Sequence, residues 1–290
     1  MKKCVFLLSC WAFSLVAQEA ISSEGSEVAA SLLRRSTSAS LCSQCDAEPP
    51  PPPPKPCIEP GDFSSHLQFG GNYTHVRLTP DGYNSYNGNL GGGQGLYEFR
   101  TCRRIYGGVT ARWRQGKISG ILGNGTLRDG DAEGRIGYTF GRNAYLFSLY
   151  TGVGFRYLEQ DLQPKGSAAI KYKYEEFYVP IGFLYDCQFT SNFNWGLYGA
   201  WMPQIYPSVT IEPIGGCRWI TKKTWKNAIL AMPFTFACNA TRSFTIVFKP
   251  FFEYWQDGKT IAKSVTGAPL GVPENTYLFG GADLNLCYSF

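Results

Sequence analysis

The chain has 290 residues, 44% hydrophobic and 16% aromatic, with 33 glycines, only 3 methionines and a formal net charge of +5. Charged residues make up 17%, against about 25% in an ordinary soluble domain; aromatic residues among so many glycines suit strands that carry rings on one face and bring backbones close. Disorder is excluded for most of the chain, the lack of a run of about 18 apolar residues beyond the N-terminus excludes a helical membrane protein, and the absence of a Lys/Arg block excludes a nucleic-acid partner.

Lys2 and Lys3 precede an apolar run from Cys4 to Val16, and Ala17 or Ala20 offers a small residue for cleavage, the anatomy of a secretory signal peptide. The expected cut follows Ala17, so the leader is residues 1–17. Leu7-Leu8-Ser9-Cys10 loosely resembles a lipobox, which would make Cys10 an acylated N-terminus, but only Cys4 to Ser9 would then remain as the apolar region. Cleavage after Ala17 leaves eight of the ten cysteines and a charge of +3, in an oxidising compartment.

Residues 18–60 are rich in Ser, Ala and Glu and then carry Cys42, Cys45, the run Pro49 to Pro54, and Cys57. Such a segment lacks the apolar surface for a core, and its prolines favour an extended polyproline helix. It reads as a periplasmic tail on a stiff linker. Cys42-Ser43-Gln44-Cys45 has redox or zinc spacing, but the βαβ context of the first and the second ligand pair of the second are missing, which leaves a disulfide. No cofactor or metal is expected.

From residue 61 to 290 the pattern becomes period-two alternation, with strands expected near 66–78, 89–100, 104–116, 131–141, 145–158, 171–187, 194–206, 228–238, 243–255 and 276–290. In the fifth, Tyr145, Phe147, Leu149, Thr151, Val153, Phe155 and Tyr157 share one face, while Ser148, Gly152, Gly154 and Arg156 take the other. A soluble β-sandwich also alternates. Strands of this length exceed the usual span of roughly 3–10 residues in globular proteins, and strictly alternating short and long connections match the turns and outer loops of a membrane barrel.

The third feature is the C-terminus, where Ala282, Leu284, Leu286, Tyr288 and Phe290 alternate with Asp283, Asn285, Cys287 and Ser289 to the last residue. Here the chain resembles bacterial outer-membrane β-barrels, whose last strand ends in an aromatic residue read by the barrel-assembly machinery; Phe290 is the assembly signal this resemblance implies. The segment Tyr178-Val179-Pro180-Ile181-Gly182-Phe183-Leu184-Tyr185-Asp186 is similar to strands of OmpA-like and opacity-type barrels. The number of cysteines departs from those families and resembles the cysteine-rich envelope proteins of chlamydiae. The expected fold is therefore all-β: a transmembrane antiparallel up-and-down barrel of about ten strands, within a range of about 8 to 12, placed in the outer membrane with both termini periplasmic.

That topology puts Cys102, Cys187, Cys238 and Cys287 at the periplasmic rim and Cys42, Cys45 and Cys57 on the tail, leaving Cys217 alone in an outer loop. Two readings stand: disulfides to other cysteine-rich envelope proteins, or intramolecular bridges that pin the tail and leave one thiol free.

The chemistry-bearing residues do not assemble an enzyme on paper. His66 and His75, nine apart on one strand, fall on opposite faces, and neither adjoins an Asp, as an omptin-type protease requires. Asp129-Gly130-Asp131 reads as a turn, and Gly91-Gly92-Gly93-Gln94-Gly95, with no helix after it, as close strand packing. Alternation places Glu98, Arg100, Arg104, Arg112, Arg114, Glu133, Arg135, Arg156, Glu176, Asp186, Lys249, Glu253 and Asp283 in the lumen. Such charges need partners or water, so a packed interior is expected, or else a narrow pore favouring anions through Arg100, Arg104, Arg112, Arg114 and Arg135. Trp219, Lys222, Lys223, Trp225 and Lys226 stand in the fourth outer loop, suited to a glycan, lipid or protein, or to lipopolysaccharide at the membrane edge. The expected role is structural or surface-exposed in the envelope, without enzymatic activity, in contact with outer-membrane lipid; the alternative is a small porin.

Overall fold

The computed structural model describes residues 64–101, 104–142, 145–166, 168–212, 218–238, 243–261 and 271–290. Fourteen strands form one antiparallel sheet: β1 (Ser64–Pro80), β2 (Tyr86–Arg100), β3 (Ile105–Gly120), β4 (Gly123–Arg142), β5 (Tyr145–Pro164), β6 (Ile170–Tyr178), β7 (Ile181–Gln188), β8 (Phe193–Trp201), β9 (Gln204–Glu212), β10 (Arg218–Ile220), β11 (Ala228–Ala231), β12 (Phe234–Ala237), β13 (Phe244–Asp257) and β14 (Asn275–Ser289). Proline lacks the N–H that a ladder needs, so Pro180, Pro203 and Pro233 interrupt three long strands and divide them into β6/β7, β8/β9 and β11/β12. With those pieces joined, and with β10 beside β9 on the side where β11 pairs with β8, the sheet is a ring of ten staves.

Pairing of β1 with β14, from His66 opposite Ser289 to Pro80 opposite Asn275, closes the ring. Ser65 and Phe290 exchange backbone hydrogen bonds of 3.3 and 3.1 Å, so the last residue seals the seam. Closure leaves no free edge and excludes the sandwich. Burial is inverted relative to a water-soluble protein. Val109 is 60% exposed and Leu284 59% exposed on the outer wall, and Phe248, Ile136 and Leu149 share that outward face, whereas charged side chains point inside. An apolar exterior on a closed barrel belongs in lipid.

All ten expected strands appear, but the connections differ from expectation. At the end away from Ser64 and Phe290, the links 81–85, 121–122 and 165–169 are short, so strict short and long alternation fails. The physical reason is that the strands themselves run on: β3 and β4 form one continuous hairpin in which Gly120 faces Gly123, where a long loop is expected. Asp129-Gly130-Asp131 accordingly lies inside β4, not in a turn. Gly130 is there because the Trp113 indole covers the spot a Cβ would occupy.

The interior has three levels. Nearest the short hairpins it is filled with apolar side chains, among them Val76, Leu78, Leu90, Ile118, Leu127 and Tyr277. A layer of ion pairs follows. At the end that carries Ser64 and Phe290, the lumen opens as a cavity of about 720 Å³ lined by His66, Glu98, Arg100, Arg135, Asp186 and Lys249, among others.

Candidate functional site: a charged layer across the lumen

Arg112 and Arg114 stand two apart on β3, Asp129 and Asp131 two apart on β4, so all four point inward. The hairpin register sets Arg112 opposite Asp131 and Arg114 opposite Asp129. Arg112 donates from Nε to Asp131 at 2.7 Å, and Arg114 from Nε to Asp129 at 2.6 Å. Arg156 on β5 donates to both oxygens of Asp129, at 2.8 and 2.9 Å. From the far wall Glu253 on β13 accepts from Arg112 and Arg114, each at 3.0 Å, and from Arg156 at 2.6 Å.

Three guanidiniums therefore meet three carboxylates, and the layer is neutral. Glu253 ties staves that face each other across the ring. Arg114 also lies 3.8 Å from the Phe279 ring centroid, and Arg156 lies 4.2 Å from that of Trp255; a planar guanidinium, more weakly hydrated than an ammonium, suits such stacking in a buried place. Arg114, Arg156, Asp129 and Glu253 are all buried. In a site this dry an unpaired charge would be costly, which is why every arginine is met by an acid.

Below this layer, Glu133 accepts from Arg135 and from the Tyr178 hydroxyl, the latter at 3.0 Å. Arg135 reaches Tyr198 at 3.1 Å, Tyr106 donates to Glu98 at 2.6 Å, and Arg100 pairs with Asp186. Lys249 pairs with Asp283 at 2.9 Å. Above it, the Trp255 indole N–H lies 2.8 Å from Glu176 and 2.9 Å from Asp257.

The expected lumen residues are thus inside, with one correction. Arg104 lies in the turn between β2 and β3 at φ 66°, its N–H donating to the Thr101 carbonyl, and is not a lumen group. A left-handed residue is needed to reverse the chain there. Asp129 and Asp131, read as a turn from sequence, are the acids that were missed. The signal was available: the pairs 112/114 and 129/131 are symmetric about the 121–122 turn. Because these acids and Glu253 occupy Arg112, Arg114 and Arg156, the surplus of basic charge that would select anions is absent.

His66 accepts or donates at 2.8 Å with Ser289 on the cavity wall, and His75 at 2.9 Å with Asn89 on the exposed outer face. They occupy opposite faces, and neither has an Asp next to it in the chain. Gly91 to Gly95 lie within β2 as close strand packing. Trp219, expected in an exposed loop, is 1% exposed on β10, because its position on that strand turns the ring into the apolar layer.

Cys187 and Cys287 are buried and Cys238 is exposed, and none of the three is in a disulfide. All three stand at the end that carries the C-terminus. Cys42, Cys45, Cys57, Cys102 and Cys217 lie outside the described residues, as do the leader and the tail. With the folded chain reduced, Cys238 is expected to react with a maleimide well before Cys187 and Cys287, as mapped by mass spectrometry; equal rates would refute this burial pattern.

No protein-family model and no curated protein matches the sequence. Solved structures do. The outer-membrane protease OmpT of Escherichia coli matches over 79% of this chain and 96% of its own, at 10% identity and a TM-score of 0.55. The translocator domain of the autotransporter NalP from Neisseria meningitidis matches over 80% and 90%, at 8% identity and a TM-score of 0.45. Ail of Yersinia pestis matches over 77% and 98%, at 15% identity and a TM-score of 0.32. The first corrects one expectation. A barrel of this shape is a protease in E. coli, so the architecture is one that carries catalysis, and the reading of the chain as devoid of enzymatic activity is overturned on that likeness. At such identity the likeness speaks for the fold. The fold of this chain is that of a bacterial outer-membrane β-barrel.

Proposed function

We propose that the chain is a closed outer-membrane barrel with a structural and surface-exposed role in a bacterial envelope. The observation that carries this is the neutral layer of Arg112, Arg114 and Arg156 with Asp129, Asp131 and Glu253, which crosses the lumen and is packed against an apolar interior. On this reading both chain ends and the rim that carries Ser64 and Phe290 face the periplasm, and the end with the 81–85, 121–122 and 165–169 turns faces outward. Partners on this reading are membrane lipid, lipopolysaccharide and the barrel-assembly machinery, which would read Phe290, 61% exposed and stacked on Tyr288 and Tyr97.

Disulfide linkage to other cysteine-rich envelope proteins, of the chlamydial kind, is part of the proposal. The exposed thiol of Cys238 supports it. Non-reducing gels of native envelopes test it, with reductant-sensitive high-mass species expected and migration as a monomer counting against it.

The second reading, a small channel, has the open cavity of about 720 Å³ in its favour. Planar-bilayer recording separates the two. The closed barrel predicts no conductance steps above the bare bilayer, whereas reproducible anion-selective steps would replace this reading by the porin one.

A further inference from the structure

The segment from Arg218 to Asn227 is built to hold side chains outward. Trp219, Thr221, Thr224 and Asn227 are buried. The Thr224 hydroxyl donates to the Gln256 carbonyl at 2.7 Å, its amide donates to Gln204 Oε1 at 3.0 Å, and Asn227 Oδ1 accepts the Gln256 amide at 2.9 Å. These bonds pin the segment to β9 and β13. Between the anchors, Lys222, Lys223, Trp225 and Lys226 are exposed. The Lys222 amide donates to the Lys259 carbonyl at 2.8 Å, which sets exposed Lys259 alongside.

Among the described residues no carboxylate lies within 4.0 Å of these four ammonium groups, and the flanking residues 213–217 and 262–270 contain no Asp or Glu. Next door the pattern is the opposite: Lys173 on β6 pairs with Glu212, and Arg218 with Glu175 at 3.2 Å.

Height is set by two indoles. Trp225 is 62% exposed and its ring centroid lies 6.0 Å from that of Trp201, whose N–H donates to the Trp225 carbonyl. Trp201 sits on the outer wall opposite Ile181 and is 40% exposed. Indoles prefer the boundary between lipid and water, so the lysines stand level with lipid headgroups. Several cations within one segment fit a headgroup with more than one phosphate, and a flat indole face fits a sugar ring.

We propose that Lys222, Lys223, Lys226 and Lys259, with the Trp201–Trp225 pair, bind the phosphates of a phosphorylated glycolipid in the outer leaflet. This rests on the outward orientation of the hairpin end proposed above. It adds the site and the groups of the glycolipid that the site holds.

The test uses the full chain in phosphatidylcholine nanodiscs doped with bisphosphorylated lipid A, with its dephosphorylated form, or with phosphatidylglycerol, and native mass spectrometry reads the retained lipid. Bisphosphorylated lipid A is expected to be retained at least about tenfold better than the dephosphorylated form, and K222E/K223E/K226E to lose that advantage, since each basic group near an anionic headgroup contributes measurably. K222R/K223R/K226R should keep it. Equal retention of the two lipid A forms overturns the proposal, and so does equal retention of phosphatidylglycerol. If the glutamate variant fails to give a heat-resistant folded band, Trp225→Ala and the dephosphorylated lipid carry the test. Orientation is read separately, by labelling intact cells with a membrane-impermeant amine reagent. Label on Lys223 with no lipid preference overturns the site alone; no label on Lys223 overturns the orientation beneath it.

Discussion

Replacing Glu253 by Gln is expected to destabilise the barrel by about 3–5 kcal/mol, the usual consequence of removing one partner from a buried ionic group. Glu253 accepts from Arg112, Arg114 and Arg156 at 3.0, 3.0 and 2.6 Å, and without it three guanidiniums share two aspartates, leaving one positive charge in a dry interior. Urea unfolding in lipid vesicles, followed by tryptophan fluorescence, measures the loss. The informative comparison is Glu253→Gln with Arg114→Gln: two arginines then face two aspartates, the layer is neutral again, and the double variant is expected to be more stable than Glu253→Gln alone. A double variant that loses the sum of the two single losses would show that charge balance is not what holds this layer. If the layer also seals the lumen, Glu253→Gln admits ions in planar bilayers while the wild type does not.

Gly154→Val is expected to cost about 1–3 kcal/mol by overpacking. The Tyr178 ring lies where a Cβ on Gly154 would stand, and that ring in turn packs edge-on against Trp255 with centroids 5.5 Å apart, while its hydroxyl holds Glu133 at 3.0 Å. A valine has to expel the ring, which strips Glu133 of one of its two partners beneath the ionic layer. The same unfolding measurement checks it, with Gly134→Val as the control, since nothing lies within 4 Å of a Cβ there. Equal losses at the two positions would mean that backbone entropy, not the tyrosine contact, decides the cost.

How much of this was legible follows from what period-two alternation encodes. In a strand, alternate residues point to opposite faces whatever they touch, so the ten staves, the outward apolar set and the inward positions of Arg100, Arg112, Arg114, Arg135, Arg156 and Glu253 could be read directly. Gly91 to Gly95 as strand packing could be read as well, because glycine in a strand marks close backbone approach. The prolines 180, 203 and 233 interrupt the ladder without diverting the chain, and so did not hide the staves.

What sequence reading missed depends on register and on distance along the chain. Asp-Gly-Asp favours a turn locally; it is a strand here because the β3–β4 hairpin turns at 121–122 and Trp113 needs Gly130 beneath its ring. Arg104 alternates as if inward, yet the chain reverses at that residue. Trp219 reads as a loop aromatic until β10 pairs with β9 and turns it inward. Sequence by itself determined the all-β class, a stave count of about ten and the inward side of most of the lumen charges, since those follow from local alternation. Only the closed ring decided that the charged layer across the lumen is neutral, because Glu253 and Arg114 are 139 residues apart, and no local pattern records that two such groups meet.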